Sequence, residues 1–553
     1  MRYTLGFFGP AGRWEHDHSM VLMENGKILQ MIQLERFTRR KYDNRLPEYF
    51  VQISKLFENQ EYYLDDCDLI YANTFNEGEK FFNVSRNDFL SKDGKINFKH
   101  EGSRDITSLV ETKGKIENKK YGASILSHEL AHIYSCLPFY GDFKENSLLI
   151  HIDGAASLSN ASAWIYQKGK IRLLEKTKAF HHTLLNFSYN DLTFEILNVQ
   201  REKHFGMPGR LMGYACYGKC NEELYNWLNK NDFFRELNTN NNLERFKQGL
   251  KAFNSNVQTI SQKEPLFFDI AACMQSHFER EISQFIYRNQ EKTGAEYLYY
   301  SGGAALNIKL NSLLINSKKF KEVYIPPPTN DSGLSLGCAA YFESIIKKNN
   351  THIHNPFLNN LLLDDYNFNP NFSIDDICRE ISEDKVIGIS TGFAEAGPRA
   401  LGHRSLIANP SSKKMGSYVS EIIKKREWYR PVAPIVLENL IDELFVDYLP
   451  NPTMYFMLYD FKVKEEMKDK IPAVVHFDGT SRAQIVKEND PNLSLIIEIL
   501  KTMNEKYNIK CLINTSFNAA GEPIVHTMKD SLNSAKNMGL DGIILNNDYY
   551  KIR

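Results

Sequence analysis

Apolar residues along this chain fall mostly into runs of strand length, and each run ends in a Gly-, Asp- or Asn-bearing turn before a helical pattern begins. NSLLIHID leads into GAAS, EYLYYS into GGAALN, and EVYI into PPPTNDSG. Further on, KVIGIS leads into TGFAEAGPRALG and KCLIN into TSFNAAGEP. Strand, turn and helix in that order predict α/β units, whose functional groups gather at the carboxyl ends of the strands. Nearer the N-terminus, VLMENGKILQMIQL reads as strand–turn–strand, with Glu-Asn-Gly as a hairpin turn. The fold class expected is α/β in the first part and α/β or α+β in the second. No fixed-period repeat is visible.

Three polar stretches interrupt the pattern. Residues 76–120 are rich in Lys, Asn, Asp and Gly and predict hairpins or loops. Residues 229–264 carry Asn-rich and charged runs and predict a helical insertion. The third, with NNTHIHNPFLNN and DDYNFNPNF, separates a helical segment (LGCAAYFESIIKK) from a fresh strand. It sets a domain boundary near 348–372, giving units at 1–350 and 373–553 joined by a linker at 351–372.

Composition narrows the function classes. The 553 residues suffice for two to four domains, and 42% hydrophobic content supports a sizeable core. With 67 Lys+Arg against 68 Asp+Glu, the chain lacks the broad basic field that tracking a phosphate backbone requires, which argues against polymeric nucleic acid as partner. The N-terminal stretch MRYTLGFFGPAGRWEHDHS lacks the apolar core of a signal peptide, and no run approaches a membrane span. The eight cysteines include no CxxC pair, so reduced thiols and a cytoplasmic location are expected, with the close pair Cys216 and Cys220 serving in packing.

Two sets of residues carry chemistry. In SHELAHIYSCL, His128 and His132 are four apart and project from one helix face, where they can share a metal. Such a pair is more often a packing feature, but Asp153 after LLIHI and Asp331 in TNDSG both emerge at strand ends. Two imidazoles and two carboxylates form a mixed set suited to iron, manganese or zinc. SGGAALN follows a strand and opens a helix, so Gly302 and Gly303 would let a nucleotide approach the backbone, unless the segment is an ordinary tight turn. The second set is cationic. GPRALGHRS supplies Arg399, His403 and Arg404; KKREWYRP supplies Lys425, Arg426 and Arg430; HFDGTSRAQ supplies His476, Asp478, Thr480 and Arg482. INTSFNAAGEP adds Asn514, Ser516 and Asn518. Each cluster alone is as consistent with structural salt bridging, but together, on loops at strand ends, they point to an anion site.

In chain order, HDHS, ERFTRRK, HELAH, RLMGYACYG, SGGAALN, PPTNDSG, GPRALGHRS, KKREWYRPVAP, HFDGTSRAQ and NTSFNAAGEPIV resemble the carbamoyltransferase family of nodulation and antibiotic-tailoring enzymes, over roughly residues 3–530. That resemblance implies an actin/sugar-kinase-like (ASKHA) N-terminal domain and a YrdC-like α/β C-terminal domain. It implies O-carbamoyl transfer from carbamoyl phosphate and ATP, through a carbamoyl-adenylate, to a hydroxyl of a small polar acceptor such as a sugar, an aminoglycoside-like metabolite or a nucleoside. It also implies roles for particular residues. His128, His132, Asp153 and Asp331 would hold a metal, Fe2+ by analogy with Mn2+ or Zn2+ as alternatives, and Mg2+ would accompany ATP. Gly302, Gly303 and Asn307 would contact the nucleotide. Lys425, Arg482 and Ser516 would bind carbamoyl phosphate, with Arg399, Arg430 and Asn514 as neighbours. His16 and Lys41 would lie near the transfer step, His16 as general base, and the assembly suggested is a homodimer.

Two departures from the family pattern stand out. The family follows the metal-site Asp with Gly-x-Gly and an acidic residue, whereas this chain reads Asp153-Gly154-Ala155-Ala156-Ser157, and His18 replaces a small residue. Competing functions are tRNA threonylcarbamoylation, hydrogenase-maturation carbamoylation, and a non-catalytic ATP-binding protein of the actin type. The last would have no use for Lys425, Arg482 and Ser516.

Overall fold

A computed structural model of the chain describes residues 2–9, 16–58, 63–72, 88–99, 106–107, 109–154, 156–177, 191–200, 206–234, 240–254 and 261–553. The first sheet holds β1 (Tyr3–Phe8), β2 (Ser19–Glu24), β3 (Lys27–Gln33), β4 (Cys67–Ala72), β5 (Phe89–Leu90), β6 (Ile96–Phe98), β7 (Val110–Ile116) and β8 (Lys119–Leu126). Its order is β3-β2-β1-β4-β8-β7-β6-β5. The expected hairpin is β2–β3, turned by Asn25 and Gly26, both at positive φ. The second sheet holds β9 (Ser147–Ile152), β10 (Ala161–Gln167), β11 (Lys170–Thr177), β12 (Tyr297–Ser301) and β13 (Glu322–Tyr324), in the order β11-β10-β9-β12-β13.

The two sheets repeat one plan. In each, the first strand pairs antiparallel with the second and parallel with the fourth, the second pairs antiparallel with the third, and a fifth parallel strand closes the set. This duplicated plan is the ASKHA fold. It leaves no sequence period because the connections differ in length: β5–β7 add a polar meander to the first half only, within the stretch expected to form hairpins or loops. The expected helical insertion contains the helix Asn240–Phe253, with parts of it outside the described residues.

Between the halves, the helix His128–Tyr134 follows β8 and the helix Leu334–Tyr341 follows β13. They cross so closely that a Cβ on Gly337 would lie 1.6 Å from the Ala131 carbonyl oxygen. No side chain fits there, and this contact brings the start of the second helix beside the two histidines of the first.

The C-terminal part begins with β14 (Phe357–Asn359), β15 (Ile387–Ser390), β16 (Ala394–Glu395), β17 (Arg404–Ala408) and β18 (Ala433–Leu437). It continues with β19 (Phe445–Val446), β20 (Phe461–Val463), β21 (Thr480–Ser481), β22 (Gln484–Val486), β23 (Cys511–Ser516), β24 (Gly542–Leu545) and β25 (Asp548–Lys551). Seven of these form a mixed sheet, β22-β18-β23-β17-β15-β24-β25. The helices Ile374–Ser382 and Ser494–Tyr507 carry buried apolar stripes, including Ile377, Ile381, Ile496 and Ile499, into one continuous core with it. The second part is therefore α/β, within the class expected.

Residues 351–363 lie against both parts. His352 and His354 donate backbone N–H groups to the carbonyls of Gly26 and Pro138. The Asn359 side chain accepts from the Gln33 N–H (2.8 Å) and donates to the Gln33 side chain (2.8 Å) and the Glu395 carbonyl (2.7 Å). Among the described residues, no helix is long and apolar enough to cross a membrane.

Candidate active site

The site has two centres. The first is where the crossing helices meet the ends of β9 and β13. Ser127 caps the helix His128–Tyr134 by accepting from the Leu130 N–H, and both histidines turn inward, fully buried. His132 Nε2 lies 3.0 Å from His128 Nε2, 3.3 Å from Asp153 Oδ2 and 3.4 Å from Asp331 Oδ1, and His128 Nε2 lies 3.5 Å from the same Asp331 oxygen. Four electron-rich atoms converging in a buried space require protons or a cation between them. Burial alone would lower the His132 imidazole, but the two carboxylates overcome it and hold it up at about 9. These are the four residues expected as metal ligands, and the set fits a divalent cation. Among the described residues, the Nδ1 atoms of both histidines have no hydrogen-bond partner.

The SGGAALN turn touches this centre from behind. Gly303 donates its N–H to Asp153 Oδ2. Gly302 has φ +104°, and a Cβ there would lie 2.1 Å from the Ile152 carbonyl oxygen, so only glycine lets the turn sit on the end of β9. His16 lies at the rim, with Nδ1 2.9 Å from Asp17 Oδ2. Burial would lower its imidazole, yet Asp17 together with Asp331 and Asp153 raises it to about 9. A ring held protonated at neutral pH must lose that proton before it can accept another, and Asp17 is the main group holding it. His18, by contrast, is driven down to about 3 by burial and is neutral.

The second centre is cationic. Arg399, Arg426, Arg430, Arg482 and Lys424, with Lys41 from the N-terminal part, act on one another's charge: burial and then their mutual repulsion depress Arg399, Arg426 and Lys424. Arg482 is lowered to about 10 by burial and by Arg430. The Nε atoms of Arg399 and Arg482 are buried without a partner. Glu427 offsets part of the charge, accepting from Arg210 Nε (2.9 Å) and Arg430 (3.3 Å). The His16 and Tyr42 rings are 6.1 Å apart, and Tyr42 lies within the field of both Asp17 and Arg430, so residues 16–42 run between the centres.

Residues 9–340 match the family described as Carbamoyltransferase N-terminus, and residues 378–551 match Carbamoyltransferase C-terminus. The chain belongs to the carbamoyltransferase family. It is 25% identical over 574 residues to the Nodulation protein NolNO of Sinorhizobium fredii, covering 97% of this chain and 79% of that one. It is 33% identical over 340 residues to a Nodulation protein U of Rhizobium tropici, covering 57% of each. Among solved structures it is similar to the activator of the 2-hydroxyisocaproyl-CoA dehydratase from Clostridium difficile (13% identity, TM-score 0.30, 63% of this chain and 96% of that one). That likeness is too slight to add to the sheet topology.

Within this carbamoyltransferase, several residues sit elsewhere than their motifs suggest. Lys425 is exposed, at positive φ just past a helical turn, while Lys424 is buried. The Lys424 ammonium donates to the Ser516 carbonyl, to Ser516 Oγ (3.3 Å), and to the carbonyl and Oδ1 of Asn518 (2.6 and 2.7 Å). The lysine beside Ser516 is thus Lys424 and not Lys425. Arg404 is spent on scaffold, since its guanidinium donates to the carbonyls of Thr391, Gly392, His403 and His526. His403 stacks on Phe357 with its ring nitrogens 2.7 Å from the Phe393 and Asn492 carbonyls. Asn514 donates to Gln484 and the Ala400 carbonyl and so seats the loop that carries Arg399. Asn307 caps the helix Ile308–Asn316 and exchanges hydrogen bonds with Gln275. Asp478 pairs with Lys309.

In the departure at 153–157, Ala155 lies outside the described residues, and the Ser157 hydroxyl accepts from the His128 N–H (2.9 Å). Three residues went unread in the sequence. His151 lies within ligand distance of His128 and His132, and Arg210 and Asp17 lie beside the cationic centre and His16 respectively. A histidine inside the apolar run SLLIHI was the signal available for His151.

Proposed function

We propose that this carbamoyltransferase joins carbamoyl phosphate and ATP at the cationic centre to form a carbamoyl-adenylate. The carbamoyl group then passes at the His/Asp centre to a hydroxyl of a small polar acceptor, with the carbamoyl–oxygen bond to the adenylate broken and AMP released. The observation that carries this is the pair of centres: a buried cation cluster holding unpaired guanidinium N–H groups, and a converging four-ligand pocket, joined by residues 16–42. Two polyanions react only if their mutual repulsion is screened, and Arg399, Arg426, Arg430 and Arg482 supply that screening where water is scarce. Lys424 holds the Ser516 and Asn518 loop in place beneath them. Atom balance gives pyrophosphate and one inorganic phosphate, with one water consumed, for each adenylate formed.

The SGGAALN turn, seated on Ile152 and Asp153 through Gly302 and Gly303, is where nucleotide phosphates would approach. A divalent cation held by His128, His132, Asp153 and Asp331, with Fe2+, Mn2+ or Zn2+ as candidates, would supply Lewis-acid charge for phosphate oxygens and for an acceptor hydroxyl. His16, held protonated chiefly by Asp17, would take the hydroxyl proton after releasing its own. The near-zero net charge favours a sugar, aminoglycoside-like metabolite or nucleoside over polymeric RNA, and Mg2+ would accompany ATP.

The test is to incubate the protein with ATP and carbamoyl phosphate, without acceptor, and to measure pyrophosphate and carbamoyl-adenylate by mass spectrometry. Carbamoyl-phosphate-dependent formation of both is expected. Neither product, with or without a pool of sugars and nucleosides, refutes the route.

A further inference from the structure

The end of the helix Met207–Ala215 meets the turn that precedes β21. Cys216 caps the helix, and its thiol donates to the Met212 carbonyl at 3.3 Å. His476 opens the turn, which is closed by the Gly479 N–H bonded to the His476 carbonyl (2.9 Å) and the His476 N–H bonded to the Thr480 carbonyl (2.8 Å). The His476 side chain is 8% exposed, yet neither ring nitrogen has a hydrogen-bond partner, and Nδ1 stands 3.6 Å from Asp478 Oδ1, too far for one. One ligand atom each from Cys216, His476 and Asp478 lie within 4.8 Å of one another.

Nδ1 is within ion-pair reach of Asp478, but Nε2 is buried with no partner among the described residues, which forgoes roughly 1–3 kcal/mol and calls for one. The neighbours leave one available. Lys309 takes the other carboxylate oxygen, Asp478 Oδ2 (2.5 Å), and is itself balanced by Asp460 (2.6 Å). Thr480 donates its hydroxyl (2.7 Å) and N–H (3.1 Å) to Oδ1, orienting it towards the histidine. The Tyr217 ring stands edge-on to His476 at 5.7 Å and closes one side. Thiolate, imidazole and carboxylate form the donor set of a borderline-soft divalent ion, in the three-ligand arrangement that leaves a fourth position open.

We infer that Cys216, His476 and Asp478 form a second metal site, for Zn2+, that clips the N-terminal part to the turn leading into Arg482. Cys216 then has a role beyond packing. Coordination would deprotonate the thiol, which burial otherwise keeps protonated. None of its ligands is among the residues of either centre, so its test does not depend on the carbamoyl-transfer route.

The test is Co2+ titration of the full-length protein after chelator treatment, with metal removal verified by elemental analysis. A thiolate-to-cobalt charge-transfer band should grow to saturation, by two equivalents per chain in the wild type and by one in the His128→Ala/His132→Ala double variant. It should vanish in Cys216→Ser, which keeps the fold as checked by circular dichroism. It should persist in the His128→Ala/His132→Ala double variant, whose centre contains no sulfur. His476→Ala should weaken Co2+ binding at Cys216 by at least about tenfold. Absence of the band in the wild-type protein, or an undiminished band in Cys216→Ser, overturns the site.

Discussion

Replacing Lys424 by Met removes a buried ammonium while keeping the aliphatic stem. The Ser516 and Asn518 carbonyls and Asn518 Oδ1 then lose their shared donor in a place with little access to water. Asn518 Oδ1 keeps the Ser516 hydroxyl (2.7 Å) and the Ser516 carbonyl keeps the Asn518 N–H (3.1 Å), so the Asn518 carbonyl is the acceptor left stranded and a loss of about 1–3 kcal/mol is expected, concentrated in the loop after β23. The displaced Ser516 should lower kcat/KM for carbamoyl phosphate by about a hundredfold, equivalent to roughly 2.7 kcal/mol. The control is Lys425→Ala, whose exposed ammonium should leave stability within about 0.5 kcal/mol of wild type. Chemical denaturation gives the first quantity, and pyrophosphate release at varied carbamoyl phosphate gives the second. Equal losses in the two variants, or a wild-type Lys424→Met protein, would refute the assignment of Lys424 over Lys425.

Other expectations follow from the same contacts. Arg482→Ala should abolish carbamoyl-phosphate-dependent turnover with little change in melting, whereas Arg404→Met, which strands the Thr391, Gly392 and His526 carbonyls, should lower the melting temperature sharply; the reverse pattern would exchange their roles. The His128→Ala/His132→Ala double variant should lose the metal of the first centre, and full occupancy by elemental analysis would remove those residues as ligands. Burial holds His526 at about 3, with its Nε2 2.7 Å from the Leu361 carbonyl, while an unfolded histidine titrates near 6.5. Its contribution is therefore intact above about pH 6.5 and lost at roughly 1.4 kcal/mol per pH unit as pH falls towards the folded value. Between pH 7 and 5 the wild type should lose about 2 kcal/mol more stability than His526→Gln, and identical losses would contradict this.

Much of this architecture was written in the sequence because strands buried on both faces are continuous apolar runs. SLLIHI, YLYYS and CLINTS became β9, β12 and β23, and the polar residue ending or following each run came out at a site. The shared face of His128 and His132 was legible from helical spacing, while reading them as a metal pair also needed Asp153 and Asp331. The duplication of the two halves was not, since it lives in strand order. Nor was the choice between neighbouring cations. Lys424 faces inward and Lys425 outward because the chain leaves a helical turn through a positive φ at 425, a backbone event with no glycine to announce it. Arg399 and Arg404 share one motif, and only the path of β17 past the Thr391 and His526 carbonyls decides which guanidinium is consumed. Cys216 and His476 are far apart in the chain, and no local pattern connects them.

Asn359 has a consequence for anyone recombining these proteins. Its amide ties Gln33 of the first sheet to Glu395 of the C-terminal part, and Gln33 in turn accepts from the Gly397 N–H at 3.1 Å, two residues before Arg399. A chimera with its crossover in the polar stretch near 360–372 would inherit Asn359 from one parent and the 395–399 loop from the other. The splice would look neutral in sequence while uncoupling the joint that sets the register of the anion site. A crossover after Arg399 keeps the trio of contacts together, and is where domain exchange between relatives should preserve activity.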